Sequence, residues 1–133
     1  MYSVDFLPNM GAGQIKLSSL RNEVRALLGT HKEFKKTKFS KNTTDNFSFC
    51  HVFYDDQDKV EAVEFFNETE FLFKDKNLFS FSFAELKSFL ESNSVNFEGE
   101  ASGLRSDAIG LSVYSPDEQR IETILVYRRG YYD

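Results

Sequence analysis

The chain has one cysteine, two histidines and no tryptophan among its 133 residues. A lone cysteine cannot form a disulfide within the chain, and a free thiol is typical of cytoplasmic proteins, the compartment that we expect here. Cys50 and His51 are neighbours on a predicted strand, where successive side chains point to opposite faces, so they cannot share a metal ion. We therefore predict no metal site, and no motif indicates a cofactor.

Sequence motifs of catalysis are also missing. No Gly-x-Ser-x-Gly segment is present. The run Asp55-Asp56-Gln57-Asp58 resembles the start of a calcium loop, but Val60 and Phe66 stand where such a loop needs glycine and glutamate. No apolar run approaches the length of a membrane span, and the first residues lack the pattern of a signal peptide. We predict a protein that is not an enzyme, has no catalytic residues and contacts no membrane.

Phenylalanine, in contrast, is abundant, with fifteen residues within a total aromatic share of 16%. Large aromatic side chains let a small domain bury much apolar area with few residues. At this length we expect a single domain, residues 1–133, whose core needs no disulfide. The net charge of −5 argues against a dedicated nucleic-acid binder.

Two segments of alternating apolar residues, 52–66 and 113–127, align without a gap at an offset of 61 residues. Turn-forming residues interrupt each segment, so each predicts a β-hairpin. Three aligned pairs are identical and six are conservative. These pairs are Val52/Val113, Asp56/Asp117 and Glu61/Glu122, then Phe53/Tyr114, Lys59/Arg120, Val60/Ile121, Val63/Ile124, Phe65/Val126 and Phe66/Tyr127.

A helix is predicted before each hairpin. In the segment 15–28, Ser18 or Ser19 is suited to cap the start of a helix, and Gly29 follows its end. Apolar residues recur there on one helical face, formed by Leu20, Val24, Leu27 and Leu28. The second helix begins with the capping-box pattern of Ser82 and Glu85, and its apolar face comprises Phe83, Leu86, Phe89 and Leu90.

The order of helix, polar connection and hairpin occurs twice, so the sequence predicts an α+β fold with pseudo-repeats at about 15–73 and 78–133. We expect one antiparallel sheet with two helices packed on one face. A third strand near Phe71 would extend this sheet, residues 1–16 would form a lead-in loop, and residues 30–46 would be polar with one short strand. The alternative is that the two hairpins are similar only because hairpins share a common chemistry.

Charge is distributed unevenly along the chain. Residues 16–41 contain eight basic and two acidic side chains, whereas residues 55–70 contain seven acidic side chains against one lysine. Such asymmetry attracts a partner of opposite charge, although two solvated surfaces would give the same pattern. Tyrosine and arginine, which are frequent in protein interfaces, dominate the last seven residues, unless those tyrosines pack on the sheet edge. The predicted partner-binding residues are Asp55, Asp56, Asp58, Glu61, Glu64, Glu68, Glu70, Arg128, Arg129, Tyr131 and Tyr132.

The run Gly13-Gln14-Ile15-Lys16-Leu17, followed by Glu23-Val24 and Leu28-Gly29, resembles the Gly-x-Ile-x-Leu-Gly-Met-Thr…Glu-Val…Leu-Gly opening of small bacterial helix–hairpin domains. These include modules similar to β-lactamase-inhibitor proteins. Ser18-Ser19-Leu20 departs from the Gly-Met-Thr of that opening. The layout also resembles bacterial immunity proteins, and this likeness implies a cytoplasmic inhibitor that binds a cognate toxin and has no catalytic residues.

We therefore predict an immunity-type protein that occludes the active site of a toxin, for instance a nuclease, whose phosphate-binding groove is basic. Two other functions fit the sequence. The segment 32–41, rich in lysine, could dock the chain in a larger assembly. A pocket between helices and sheet could instead bind a small ligand. The partner protein and the oligomeric state do not follow from the sequence.

Overall fold

The structure, a computed structural model, describes residues 2–133 and contains within them two α-helices, one short 3₁₀ helix and thirteen strands. The strands of the first half are β1 (Ser3–Leu7), β2 (Gly11–Ala12), β3 (Ile15–Lys16), β4 (Lys32–Phe34), β5 (Thr44–Asn46), β6 (Cys50–Tyr54) and β7 (Val60–Phe66). Those of the second half are β8 (Glu70–Phe73), β9 (Lys76–Asn77), β10 (Glu98–Glu100), β11 (Gly103–Ser106), β12 (Leu111–Tyr114) and β13 (Thr123–Tyr127). The helices are α1 (Arg21–Leu28) and α2 (Phe83–Ser92), and the 3₁₀ helix is Leu78–Ser80. The predicted α+β class is confirmed.

The larger sheet has eight strands in the order β10-β11-β12-β13-β7-β6-β5-β4, and every neighbouring pair is antiparallel. Both predicted hairpins are present, as β6–β7 and β12–β13. Their second strands, β7 and β13, pair with each other at the centre of the sheet, where Glu64 lies opposite Leu125. The segment 30–46, in which the sequence predicts one short strand, contains two strands, β4 and β5.

A second sheet of five strands, in the order β3-β2-β1-β8-β9, differs from the prediction of one sheet. The segment expected to be a lead-in loop forms β1, β2 and β3, because Val4 and Phe6 alternate with exposed residues and are buried. The strand at Phe71 is present but joins this sheet, where it pairs in parallel with β1. The polar connection at 91–107 likewise contains β10 and β11.

The second helix matches its prediction closely. The Ser82 side chain accepts a hydrogen bond from the backbone N–H of Glu85, and the Glu85 carboxylate accepts one from the backbone N–H of Ser82. This reciprocal pair satisfies two N–H groups that the helix itself leaves free. Of the predicted apolar face, Phe83, Leu86 and Leu90 are buried and Phe89 is partly buried.

The first helix differs from its prediction in both start and face. Neither serine caps it; the helix begins at Arg21, and the Glu23 carboxylate accepts a hydrogen bond from the backbone N–H of Leu20. Val24 is buried, whereas Leu20 and Leu27 are exposed and Arg21 is buried in their place. Gly29 ends the helix with a positive φ of 80°, as the sequence indicated.

One continuous core joins the two sheets and the helices. Val24 of α1 and Leu86 of α2 belong to the same buried cluster as Phe71 of the smaller sheet and Phe65 and Ile124 of the larger one. Phe65 and Ile124 are directly paired on β7 and β13, so they lie on the same face of the eight-stranded sheet. Both helices and the smaller sheet therefore cover that face, and within residues 2–133 no helix or second sheet covers the opposite face.

Gly103 in β11 is required by the backbone. Its φ is 155°, and a Cβ placed there would overlap the carbonyl oxygen of Val113 on the neighbouring strand. We expect Gly103→Ala to lower the free energy of unfolding by on the order of 1–3 kcal/mol, because either the backbone or the strand pairing must shift. Urea unfolding measures this loss. Gly99→Ala is the matched control, since a Cβ at Gly99 meets no atom within 4 Å; equal losses in the two variants would contradict the steric explanation.

Candidate functional site

The uncovered side of the eight-stranded sheet, here named the outer face, is the candidate site. Directly paired residues on neighbouring strands project to the same side of a sheet. The pairing registers therefore define a row of outer-face residues, one from each of the eight strands. From β4 to β10 this row is Lys32, Asn46, His51, Glu64, Leu125, Ser112, Arg105 and Glu98.

Aromatic side chains on β4, β6, β7 and β12 give the outer face apolar surface. The rings of Phe34 and His51 lie 5.1 Å apart, and those of His51 and Phe66 lie 4.8 Å apart, both in edge-to-face geometry. All three are partly exposed. Tyr114, on the other side of β13, is 49% exposed. Four strands thus present aromatic surface to solvent on a sheet whose opposite face is packed.

The end of the chain folds back over part of this face. Tyr131 packs against a small buried cluster of Phe53, Ala62 and Tyr127, and the Tyr132 ring lies 4.8 Å from that of Tyr127. The Tyr127 hydroxyl donates a hydrogen bond of 2.6 Å to Asp107. Burial, together with this carboxylate, raises the pKa of Tyr127 well above its usual range. The last tyrosines therefore pack on the sheet, which is the alternative to their predicted role in binding.

The charge at the centre of the outer face is negative. His51 Nδ1 lies 3.9 Å from Glu64 Oε1. Burial lowers the pKa of His51, and the nearby Glu64 opposes this only in part, so the imidazole is neutral at pH 7. Because no lysine or arginine of residues 2–133 forms an ion pair with Glu64, a neutral His51 leaves its carboxylate uncompensated beside the partly exposed aromatic rings.

A groove of about 420 Å³ lies at one end of the outer face, between the loop after β4 and the turn of the first hairpin. Phe53 and Tyr131 contribute aromatic surface, and Glu61 and Asp56 contribute carboxylates. Lys36 Nζ lies 4.6 Å from the centre of the Phe53 ring. Its full lining is Lys36, Ser40, Lys41, Asn42, Thr43, Thr44, Phe53, Tyr54, Asp55, Asp56, Glu61 and Tyr131.

The acidic residues predicted to bind a partner are not one surface. Glu61 lies at the groove and Glu64 on the outer face, with Asp56 exposed at the turn. Glu68 is exposed in the turn before β8, and Glu70, in the smaller sheet, accepts a hydrogen bond from the Ser3 hydroxyl. Asp56 and Glu61 thus line the groove and Glu64 lies on the outer face, whereas Glu68 and Glu70 lie near the smaller sheet.

Two further predicted acids have partners within the chain. Asp55 accepts hydrogen bonds from the backbone N–H groups of Gln57 and Lys59 and one of 2.7 Å from Arg128. Burial alone would raise the pKa of Asp55, but these donors hold it below its usual range. Asp58 accepts a hydrogen bond from Asn42 and lies 3.3 Å from Arg21 Nε. Arg129, in contrast, is exposed at the surface.

A buried ionic network beside the first helix was not predicted. Arg25 donates two hydrogen bonds of 2.8 Å to the two carboxylate oxygens of Asp45, and the Tyr54 hydroxyl donates a third of 2.9 Å. Arg21 lies above the Tyr54 ring at 4.2 Å and donates hydrogen bonds to Asn42 and Thr43. This network fastens α1 to β5 and β6 and contributes structure rather than a binding site.

Cys50 and His51 do point to opposite faces, as predicted. Cys50 is buried in the core, and burial raises the pKa of its thiol to about 12, which keeps it protonated and unreactive at pH 7. Within residues 2–133, no group of three histidine, cysteine, aspartate or glutamate side chains is placed to hold a metal ion. No helix in this described part of the chain is both long and apolar enough to cross a membrane.

Comparison with known proteins adds no relative. No family model matches the chain, and no curated protein or solved structure shows significant similarity to it.

Proposed function

We propose that the chain is a protein-binding inhibitor of the immunity type, which acts in the cytoplasm without catalysis and neutralises a bacterial toxin by covering its active site. The observation that carries this proposal is the outer face itself. It is a broad sheet surface with partly exposed Phe34, His51 and Phe66 and an uncompensated Glu64 at its centre.

The composition of the outer face favours a protein partner over a small ligand. Aromatic side chains at the centre of a surface, surrounded by polar ones, are typical of protein interfaces. The antiparallel ladder holds these side chains in fixed positions, so binding costs little conformational entropy. A small-molecule site is usually a concave, mostly apolar cavity, whereas the groove beside the outer face is open and largely polar.

The charges of the outer face favour a basic partner. Glu64 is near its centre, Glu61 is at the groove and Glu98 is on its edge strand. Lys32 and Arg105 lie on the same face, but Arg105 pairs with Glu100 at 3.6 Å. The net charge of the whole chain is −5. Association with a positively charged surface, such as the phosphate-binding groove of a nuclease toxin, is accelerated by this field.

We also propose that the fold arose by duplication of a helix–hairpin unit. Glu64 and Leu125 are equivalent positions of the two aligned hairpins, and they lie directly opposite each other where β7 pairs with β13. Antiparallel pairing through equivalent residues is what a two-fold relation between two copies requires. The charged Glu64 of one copy and the apolar Leu125 of the other then lie side by side at the centre of the binding surface.

Replacement of Phe66 by lysine tests the binding surface. We expect Phe66→Lys to weaken binding to the toxin encoded beside this gene by about 2–4 kcal/mol, because it removes an aromatic contact and places a positive charge against a basic partner. Isothermal calorimetry measures the affinity, and growth of cells that co-express the toxin measures protection. Leu72→Lys is the control, because Leu72 is also partly exposed but belongs to the smaller sheet.

Equal binding by both lysine variants would reject the outer face as the interface, and a neighbouring gene that encodes no toxin would reject the immunity role.

A second candidate, docking in a larger assembly, is favoured by Phe39. This side chain is 81% exposed in the lysine-rich loop after β4. Loss of partner binding in Phe39→Ser, with full binding by Phe66→Lys, would favour that candidate.

A further inference from the structure

The groove at the end of the outer face contains a carboxylate with no partner. A β-bulge, where Tyr54 pairs with Val60 and Phe53 with Ala62, leaves Glu61 without an opposite residue on β6. Bulges redirect a side chain relative to the regular alternation. Glu61 is partly buried at the groove, and among residues 2–133 no side-chain hydrogen bond or ion pair engages its carboxylate.

The floor of the same groove already carries a positive charge. Lys36, from the loop after β4, places its ammonium group 4.6 Å above the centre of the Phe53 ring, a cation–π distance. The Tyr131 ring lines the groove beside it. Lys36 is nevertheless an exposed residue on a loop, and no ion pair among the described residues fixes its ammonium group. An aromatic floor next to an unpaired carboxylate is the chemistry that binds an ammonium or guanidinium group.

We propose that this groove receives a lysine or arginine side chain of the partner protein, which displaces Lys36 from Phe53 and pairs with Glu61. This inference rests on the proposed function, because it names the part of a basic partner that the outer face recognises. Asp55 does not take this role, since Arg128 and two backbone N–H groups already occupy its oxygens. Lys36 acts as an internal substitute that keeps the groove filled in the free protein.

The test uses blocked amino acids as probes on the isolated chain. N-acetyl-arginine amide and N-acetyl-lysine amide are titrated into ¹⁵N-labelled protein, and the amide signals of Thr44, Phe53 and Glu61 are followed by NMR. N-acetyl-norleucine amide, which has no charge on its side chain, is the control probe. We expect the two cationic probes to shift these signals with millimolar affinity and the neutral probe to leave them unchanged.

Two substitutions are expected to act in opposite directions. Glu61→Gln should weaken the cationic probes about tenfold, because a charge-assisted hydrogen bond is lost. Lys36→Met should strengthen them, because the internal competitor is removed. Glu91→Gln, at an exposed position on α2 away from the outer face, should change nothing. Unchanged affinity in Glu61→Gln, weaker affinity in Lys36→Met, or equal binding of the norleucine probe would each overturn the proposal.

The pH dependence of probe binding is a second test that needs no variant. Burial raises the pKa of Glu61, with Asp55 and Asp56 acting in the same direction and Arg128 and Lys36 opposing them. The affinity for the arginine probe should therefore decline as the pH falls, with a midpoint above the pKa of an ordinary glutamate. An affinity that does not change between pH 7 and pH 4 would contradict the role of Glu61. The probes bind without a partner protein, so the two proposals can fail separately. If the probes do not bind but the complex with the toxin forms, only the proposed groove site is rejected. If the probes bind but no complex with a toxin forms, only the inhibitor function is rejected.

Discussion

Asp45→Ala is expected to lower the free energy of unfolding by about 3–5 kcal/mol, the usual loss when one member of a buried ion pair is removed. The Asp45 side chain is fully buried and accepts three hydrogen bonds, two from Arg25 and one from Tyr54. Its loss leaves two N–H groups of Arg25 and the Tyr54 hydroxyl without their acceptor. Chemical denaturation followed by circular dichroism measures the change.

The pH dependence of stability gives an independent check of the same variant. Burial alone would raise the pKa of Asp45, but the hydrogen bonds from Arg25 and Tyr54 outweigh it and hold the pKa below its usual value. The folded state therefore favours the carboxylate, and this stabilisation is complete above the pKa of an unfolded aspartate and is lost as the pH falls through the folded pKa. We expect the stability of Asp45→Ala to fall less steeply below pH 4 than that of the parent protein.

Glu33→Gln is the matched control for Asp45. Glu33 also accepts a hydrogen bond from Arg25, at 3.0 Å, but its side chain is 48% exposed. Solvent screens such a pair, so its removal should cost far less than removal of Asp45. If both variants unfolded at the same denaturant concentration, the network would contribute only as a surface ion pair does.

Phe65→Ala is expected to cost about 3–5 kcal/mol of the free energy of unfolding, because it removes a fully buried aromatic side chain and leaves a cavity. The Phe65 ring lies 5.5 Å from that of Phe71, so it joins the larger sheet to the smaller one. The next residue, Phe66, points to the outer face and is partly exposed.

The comparison of these two neighbours separates stability from binding. Phe66→Ala should retain most of the stability of the parent protein and lose affinity for the toxin, whereas Phe65→Ala should bind normally in the fraction that is folded. Thermal unfolding and calorimetric titration of each variant test both statements. Large stability losses in both variants would place Phe66 in the core and remove it from the proposed interface.

The parts of the fold that the sequence predicted are those specified by neighbouring residues. The capping box of α2 lies within four residues, and the alternation of the two hairpins lies within fifteen, so both patterns are readable locally. The parallel pairing of β1 with β8 joins Val4 to Phe71. No local sequence pattern specifies such a distant partner. The strands on either side of this pair, β2 and β9, have two residues each, which is too short to show an alternation of apolar and polar residues.

The candidate site was predictable to a similar extent. Alternation in the hairpins places His51, Glu64 and Leu125 on one face, but only the packing of the other face reveals that this one is uncovered. Glu61 violates the alternation because of the bulge, and Arg21 is a buried charged residue that is not part of the apolar face predicted for α1. Its acceptors, Asn42 and Thr43, are about twenty residues away and gave no signal in the helix sequence.

The pairing of β7 with β13 also affects how the chain folds as it is synthesised. One edge of β7 pairs with β6, which precedes it directly in the chain, but the other edge pairs with β13, which begins 57 residues after β7 ends. Until then the nascent protein exposes an unpaired strand with an apolar face, a template for wrong pairing. Because this contact and the β1–β8 contact each join residues at least 57 positions apart in the sequence, folding should be slow and cooperative.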